Sequence, residues 1–141
     1  TAANPGYLGT FKDFSGTKVG RLSAYNAGLL KFKAGKYKEA YDLLDQFSSN
    51  NNTLMALKYG AMADCQANLN KSDDALSLLD KATSASNDPY TSYYFTRKAG
   101  LVALALKKNA EAKKYFSTID EKYQDYDNGM SDSYIEMVKY Y

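Results

Sequence analysis

The sequence predicts an all-α protein built as a stack of helix-turn-helix units. Three observations carry that prediction. Apolar residues recur at helical spacing over most of the chain, small residues recur at fixed places within each helix pair, and the whole pattern repeats. Glu39-Ala40, Asp74-Ala75 and Glu111-Ala112 fall into register, with the alanines 35 and 37 residues apart. Periods of this size belong to solenoids, in which each unit buries its apolar face only against its neighbours.

The first unit reads Tyr25-Asn26-Ala27-Gly28, then Gly35-Lys36-Tyr37-Lys38-Glu39-Ala40, then Leu43, Leu44 and Phe47. The second reads Gly60-Ala61-Met62-Ala63, then Asn70-Lys71-Ser72-Asp73-Asp74-Ala75, then Leu78, Leu79 and Ala82. The third reads Lys98-Ala99-Gly100-Leu101, then Lys107-Lys108-Asn109-Ala110-Glu111-Ala112, then Tyr115, Phe116 and Ile119. Ala27-Gly28, Met62-Ala63 and Ala99-Gly100 place small side chains where a partner helix must approach, and Ala40, Ala75 and Ala112 do the same on the second helix. Gly35 stands where the first helix must stop, and a left-handed residue there costs least as Gly. Asn70 takes that place in the second unit, as the next most tolerant residue. Lys107 takes it in the third and predicts a strained or differently built turn.

The repeat helices are expected at about 18–34, 36–48, 53–69, 72–84, 89–106 and 109–123. Ser48 to Asn52 reads as a polar loop. Asp88-Pro89 reads as a helix start, with Asp as cap and Pro at the first helical position. Before the repeats, residues 1–6 read as loose, and Tyr7, Leu8, Phe11 and Phe14 share one helical face. Thr17 is placed to cap the next helix. Residues 131–141 predict a last helix with Tyr134, Val138 and Tyr141 on one face, suited to covering the open end of a stack. The organisation is therefore one domain, 1–141: an N-terminal helix or half-repeat (1–17), repeats at 18–50, 51–87 and 88–126, and a C-terminal capping helix (127–141).

These motifs resemble the tetratricopeptide repeat (TPR) family over roughly residues 18–123. The departures are Ala24, where the family's first unit usually opens on an aromatic, and the missing Pro at the close of each unit. The resemblance implies a right-handed α–α superhelix with a concave groove lined by the first helix of each unit. More narrowly, Tyr7-Leu8-Gly9, Phe14-Ser15-Gly16-Thr17-Lys18, Gly35-Lys36-Tyr37 and Phe47-Ser48-Ser49 are similar to membrane-anchored periplasmic TPR proteins of Bacteroidetes-type bacteria, related to ancillary translocon and cell-division-coordinator proteins. That implies a bacterial cell envelope location facing the periplasm, with the membrane reached only through an upstream segment absent from this chain. The alternative location is cytoplasmic.

By the same resemblance the groove positions are Leu22, Tyr25, Leu29, Phe32 and Lys33 in the first unit. The second supplies Leu57, Gly60, Asp64 and Asn68, and the third Tyr94, Arg97, Leu101 and Leu104. Leu22, Tyr25, Leu29 and Phe32 are spaced three, four and three and form one helical stripe. Two readings of that stripe stand open: an exposed groove, or core covered by the N-terminal helix or a neighbouring chain. The Lys, Asn and Arg set with which some TPR domains grip a C-terminal carboxylate is mostly missing, although Asn26 and Arg97 remain. An internal apolar segment suits the groove better than a free acidic tail.

Other chemistries find little footing. The chain has no His and one Cys, so Cys65 lacks a base to activate it and reads as a buried structural thiol. Asp73-Asp74 sits at a helix start, where acids favour the macrodipole. Asp125-Tyr126-Asp127-Asn128-Gly129 resembles a calcium loop, but Gly comes fifth instead of sixth, and a plain Asn-Gly turn fits better. No metal, cofactor or catalytic residue is expected. With 18 basic and 16 acidic residues, no block of like charge and only two Arg, nucleic-acid binding is not indicated either. Tyr90, Tyr93, Tyr94 and Phe95 cannot all point inward from one helix. The expected function is a non-catalytic scaffold that binds a protein or peptide in the concave groove. The alternative is a structural domain that self-associates into a homo-oligomer.

Overall fold

In the computed structural model, residues 18–139 are described, with side chains from residue 20 onward. Eight helices follow one another: α1 (Lys18–Lys33), α2 (Tyr37–Asp45), α3 (Asn52–Asn68), α4 (Ser72–Ala85), α5 (Pro89–Ala105), α6 (Asn109–Lys122), α7 (Gln124–Asp127) and α8 (Met130–Val138). Among the described residues there is no strand. No helix of these is long and apolar enough to cross a membrane. Each helix from α1 to α6 packs on the next, α1 touches α3, α3 touches α5, and α8 lies on α6. The expected N-terminal helix, its Thr17 cap and Tyr141 lie outside the described residues.

The three long-helix-to-short-turn junctions are built alike. Gly35, Asn70 and Lys107 all have positive φ, at 77°, 61° and 59°. At each, two N–H groups reach back over the end of the preceding helix. Gly35 donates to the Phe32 carbonyl and Lys36 to that of Lys31, both at 2.9 Å. Asn70 donates to Ala67 at 3.1 Å and Lys71 to Gln66 at 2.8 Å; Lys107 donates to Leu104 at 3.0 Å and Lys108 to Ala103 at 2.9 Å. This paired closure satisfies carbonyls that the helix end would otherwise leave open. The third turn is thus not differently built. Lys107 adopts the same geometry and bears the Cβ strain that Gly35 escapes, about 1–2 kcal/mol.

The next residue in each turn is a lysine, Lys36, Lys71 or Lys108, and it enters the following helix with no side-chain cap. α3 and α5 start differently. Asn51 Oδ1 accepts from the Leu54 N–H at 2.9 Å, and Asp88 Oδ2 accepts from Thr91 at 3.0 Å. Asp88-Pro89 starts α5 as expected. Asn51 caps α3 one residue earlier than the sequence spacing suggests.

The core lies between the helix pairs. Ala40, Ala75 and Ala112 are buried, and so are Leu44, Leu79 and Phe116 one turn later. A Cβ on Gly28 would stand 2.7 Å from Leu44 Cγ, and one on Gly100 would stand 2.8 Å from Phe116 Cζ. Ala63 fills the corresponding place in the second pair. The small residues on odd helices therefore exist to admit the large residue of the even partner. Gly60 serves the junction between pairs instead: a Cβ there would overlap the Phe95 ring of α5.

α2 stops three residues short of its expected end. Gln46 and Phe47 turn their N–H groups to Leu43 and Leu44, which tightens the last turn. The ammonium of Lys58, on α3, then donates to the carbonyls of Asp45 at 2.9 Å and Phe47 at 2.6 Å. Lys58 is only 6% exposed. A cation at a helix C-terminus meets both the open carbonyls and the negative end of the dipole.

The chain end departs furthest from expectation. A short helix, α7, intervenes after α6. Asn128 and Gly129, both at positive φ (52° and 76°), form the expected turn into α8. Tyr134 of α8 stacks on Phe116 with ring centroids 4.6 Å apart, and Val138 is buried.

Candidate protein-binding face

Of the thirteen proposed groove positions only Gly60 is buried, and none of the other twelve side chains is. They form two sets. Leu22, Leu57 and Tyr94 are largely exposed, at 47%, 40% and 48%, and Lys33 and Asn68 are exposed as well. Tyr25, Leu29, Phe32, Asp64, Arg97, Leu101 and Leu104 are half-buried. The apolar members of this second set pack on the core by one edge. The stripe is accordingly neither bare groove nor closed core. One flank of each odd helix supplies packing, and the other stands open among the described residues.

Local packing holds the half-buried set in place. Tyr25 tilts against Phe47 with centroids 5.1 Å apart, and burial raises its phenol above the ordinary tyrosine value. Phe32 meets Tyr37 edge-on at 5.3 Å across the first turn. Asp64 of α3 and Lys98 of α5 form an ion pair at 2.7 Å, which bridges the second and third odd helices on this side. Asn68 donates to the Asp64 carbonyl one turn back, at 2.8 Å. Gly60 is not a lining residue. It is buried beneath Phe95 and sets the spacing of α3 and α5.

Arg97 is the exception to this pairing. Its Nε is enclosed and has no hydrogen-bond partner. No ion pair reaches it among the described residues.

Two smaller clefts border the face. One of about 410 Å³ lies between Arg21, Leu22, Phe47 and the Ser48–Asn51 loop. The other, about 400 Å³, lies where Leu104 and Lys107 meet Met137 of α8. Neither brings together a nucleophile and a base. Cys65 is buried, and desolvation with nearby Asp64 pushes its thiol up to about 11, which keeps it as the unreactive protonated form at neutral pH. Among the described residues no group of three potential ligands is placed to hold a metal ion.

At the far end the Tyr90–Phe95 group noted in the sequence is joined by Tyr123 and Tyr126, which the sequence did not place there. Tyr93 stacks on Tyr126 with centroids 5.9 Å apart, Tyr90 meets Tyr126 edge-on at 5.9 Å, and Tyr123 tilts against Tyr93 at 6.4 Å. Tyr93 and Phe95 point inward while Tyr90 and Tyr94 point out, as one helix requires. Beneath the rings, buried Asp127 accepts from the Tyr93 hydroxyl at 3.4 Å and from the Ser131 N–H at 2.6 Å, so it caps α8 from within. For Tyr123 and Tyr126 the sequence signal was a spacing of three that matches that of Tyr90 and Tyr93.

Fold and face together define an all-helical protein of paired helices with one flank of its odd helices left open. No protein-family model matches the chain, and no curated protein matches it.

Proposed function

We propose that this chain is a TPR-type solenoid that binds a protein or peptide segment along its odd helices, without catalysis. The observation that carries this reading is the half-exposed apolar stripe Leu22, Leu57 and Tyr94, presented by three helices whose turns repeat in register. Aromatic and aliphatic side chains held rigid by their neighbours bind at low entropic cost. By its resemblance to the envelope proteins named above, the scaffold acts in assembly at the bacterial cell envelope, facing the periplasm.

The half-buried residues are poor probes, because changing them also loosens the core. The exposed ones separate binding from folding. The test is a Leu22→Glu, Leu57→Glu, Tyr94→Ala triple variant beside the parent, each used to capture partners from an envelope extract. The expected result is a partner retained by the parent and lost by the variant, with unchanged helical circular dichroism and a monomer mass by light scattering. Equal capture by both would remove the odd-helix face as the site. A stable dimer that the triple variant dissociates would make self-association its use.

A further inference from the structure

We propose that the far end of the stack is a second docking surface, on which Tyr90 and Tyr126 receive an arginine side chain of a basic peptide segment. The surface is made by the start of α5 and by α7, and it does not depend on use of the odd-helix stripe at Leu22 and Leu57. Tyr90 is the most exposed large apolar side chain among the described residues, at 57%, and Tyr126 is 42% exposed. The two rings meet with centroids 5.9 Å apart, so they form one patch. Both are held from beneath. Tyr93 stacks on Tyr126 at 5.9 Å and tilts against Tyr90 at 6.1 Å, and its hydroxyl is tied to buried Asp127. Rings fixed in this way lose little freedom when a partner arrives. Their faces carry the negative part of the ring quadrupole, and a planar, weakly hydrated guanidinium is the cation that stacks on them best.

Charge at this end points the same way. Asp88 lies two residues before Tyr90, Asp120 and Glu121 lead into Tyr123, and Asp125 precedes Tyr126. None of these four carboxylates has an ion pair among the described residues. Asp88 accepts from Thr91 and Asp120 from Gln124, which are neutral donors and leave the charges unbalanced. Two cations lie in the same region. Arg97 acts on the Tyr93 hydroxyl with the opposite sign to buried Asp127, so those two offset each other. That leaves Lys122 against four acids. The chain as a whole carries +2, so this end runs against the overall charge. An arriving guanidinium gains from the ring faces and from the carboxylates together, and the second part is weakened by salt.

The probes are fluorescent hexa-arginine and hexaglutamate peptides, titrated into the full chain at low salt and followed by anisotropy. Hexa-arginine is expected to bind in spite of the net positive charge, and hexaglutamate to bind about tenfold more weakly or not at all. A Tyr90→Leu, Tyr126→Leu variant keeps apolar surface and removes the ring faces, and should weaken hexa-arginine binding about tenfold. A Glu121→Gln, Asp125→Asn variant leaves the rings in place and should weaken it about threefold, with a shallower dependence on salt. All four positions are exposed, so both variants should keep the parental circular dichroism. Leu57→Ala should leave hexa-arginine binding unchanged. Equal binding of the two peptides, or full binding by the leucine variant, would overturn the proposal. If the leucine variant loses helix content, the acidic pair decides, and unchanged affinity there would overturn it. Loss of binding on Leu57→Ala would place the arginine on the odd-helix face and overturn it as well.

Discussion

The even and odd helices solve different packing problems. α4 buries Ala75, Leu76, Leu78, Leu79 and Ala82, α6 buries Ala112, Phe116 and Ile119, and both turn charged residues outward. α3 and α5 are apolar around more of their circumference. α3 buries Ala56, Met62, Ala63 and Cys65 yet still presents Leu57, and α5 buries Phe95, Ala99 and Ala103 yet still presents Tyr94. A helix that is apolar on one side needs one neighbour, whereas a helix apolar on two sides needs something more. The even helices are therefore complete within the stack. The odd helices carry surplus apolar surface, and that surplus is where binding is proposed.

Substitution on the two sides should break along this line. Phe116→Ala removes a buried ring from the even-helix stripe together with its Tyr134 stacking. It should cost about 3–5 kcal/mol and leave the domain largely unfolded in mild denaturant. Tyr94→Ala, on the open side, should stay within about 0.5 kcal/mol of the parent. Comparable losses from both would show that the open flank is core.

Gly60→Ala should come next, at about 1–3 kcal/mol, because its methyl meets Phe95. The double variant with Phe95→Leu should recover part of that loss, and additive costs in chemical denaturation would argue against the contact.

Tyr115→Phe should cost about 1 kcal/mol at neutral pH by removing the 2.8 Å bond to Asp80. Burial and then the Asp80 carboxylate raise the Tyr115 phenol above its ordinary value of 10.0. The folded state holds that proton more tightly than the unfolded chain does. Its contribution is therefore full below about pH 10 and is lost as pH rises further. Lys58 works in the opposite sense, since desolvation lowers its ammonium value. The decisive quantity is the gap between variant and parent, which should narrow above pH 10; a constant gap would exclude the linkage.

The smallest effect is expected at Lys107. Replacing it with Gly relieves about 1–2 kcal/mol of left-handed strain but loosens the unfolded chain by about 0.5–1 kcal/mol. A net gain of a few tenths to about 1 kcal/mol should appear as a modest rise in Tm, and a loss would mean the lysine stem packs.

Much of this architecture was legible because the turns obey local rules. Gly35 and Asn70 announce left-handed closures by residue type, and the alanines at 40, 75 and 112 keep the register through the Lys107 departure. Asp88-Pro89 marks its helix start without tertiary help. Other features were hidden for a common reason. Lys58 reaches α2 from another helix, and Asp127 caps α8 from beneath a ring cluster. Both depend on neighbours that one-dimensional spacing does not reveal. The division of the groove stripe into open and packed residues was hidden likewise, because Leu22 and Leu29 share a helical face and differ only in what lies across from them. The orphaned Nε of Arg97 has no sequence signature at all.

Lys58 also gives the molecule an internal clock. Among the lysines whose side chains are described, it is the only buried one. A water-borne acylating reagent reaches the other described amines on the folded protein, but meets this one only when α3 lifts from the end of α2. The rate at which that single site is modified, read by peptide mass, therefore follows how often and for how long the first helix pair parts from the second.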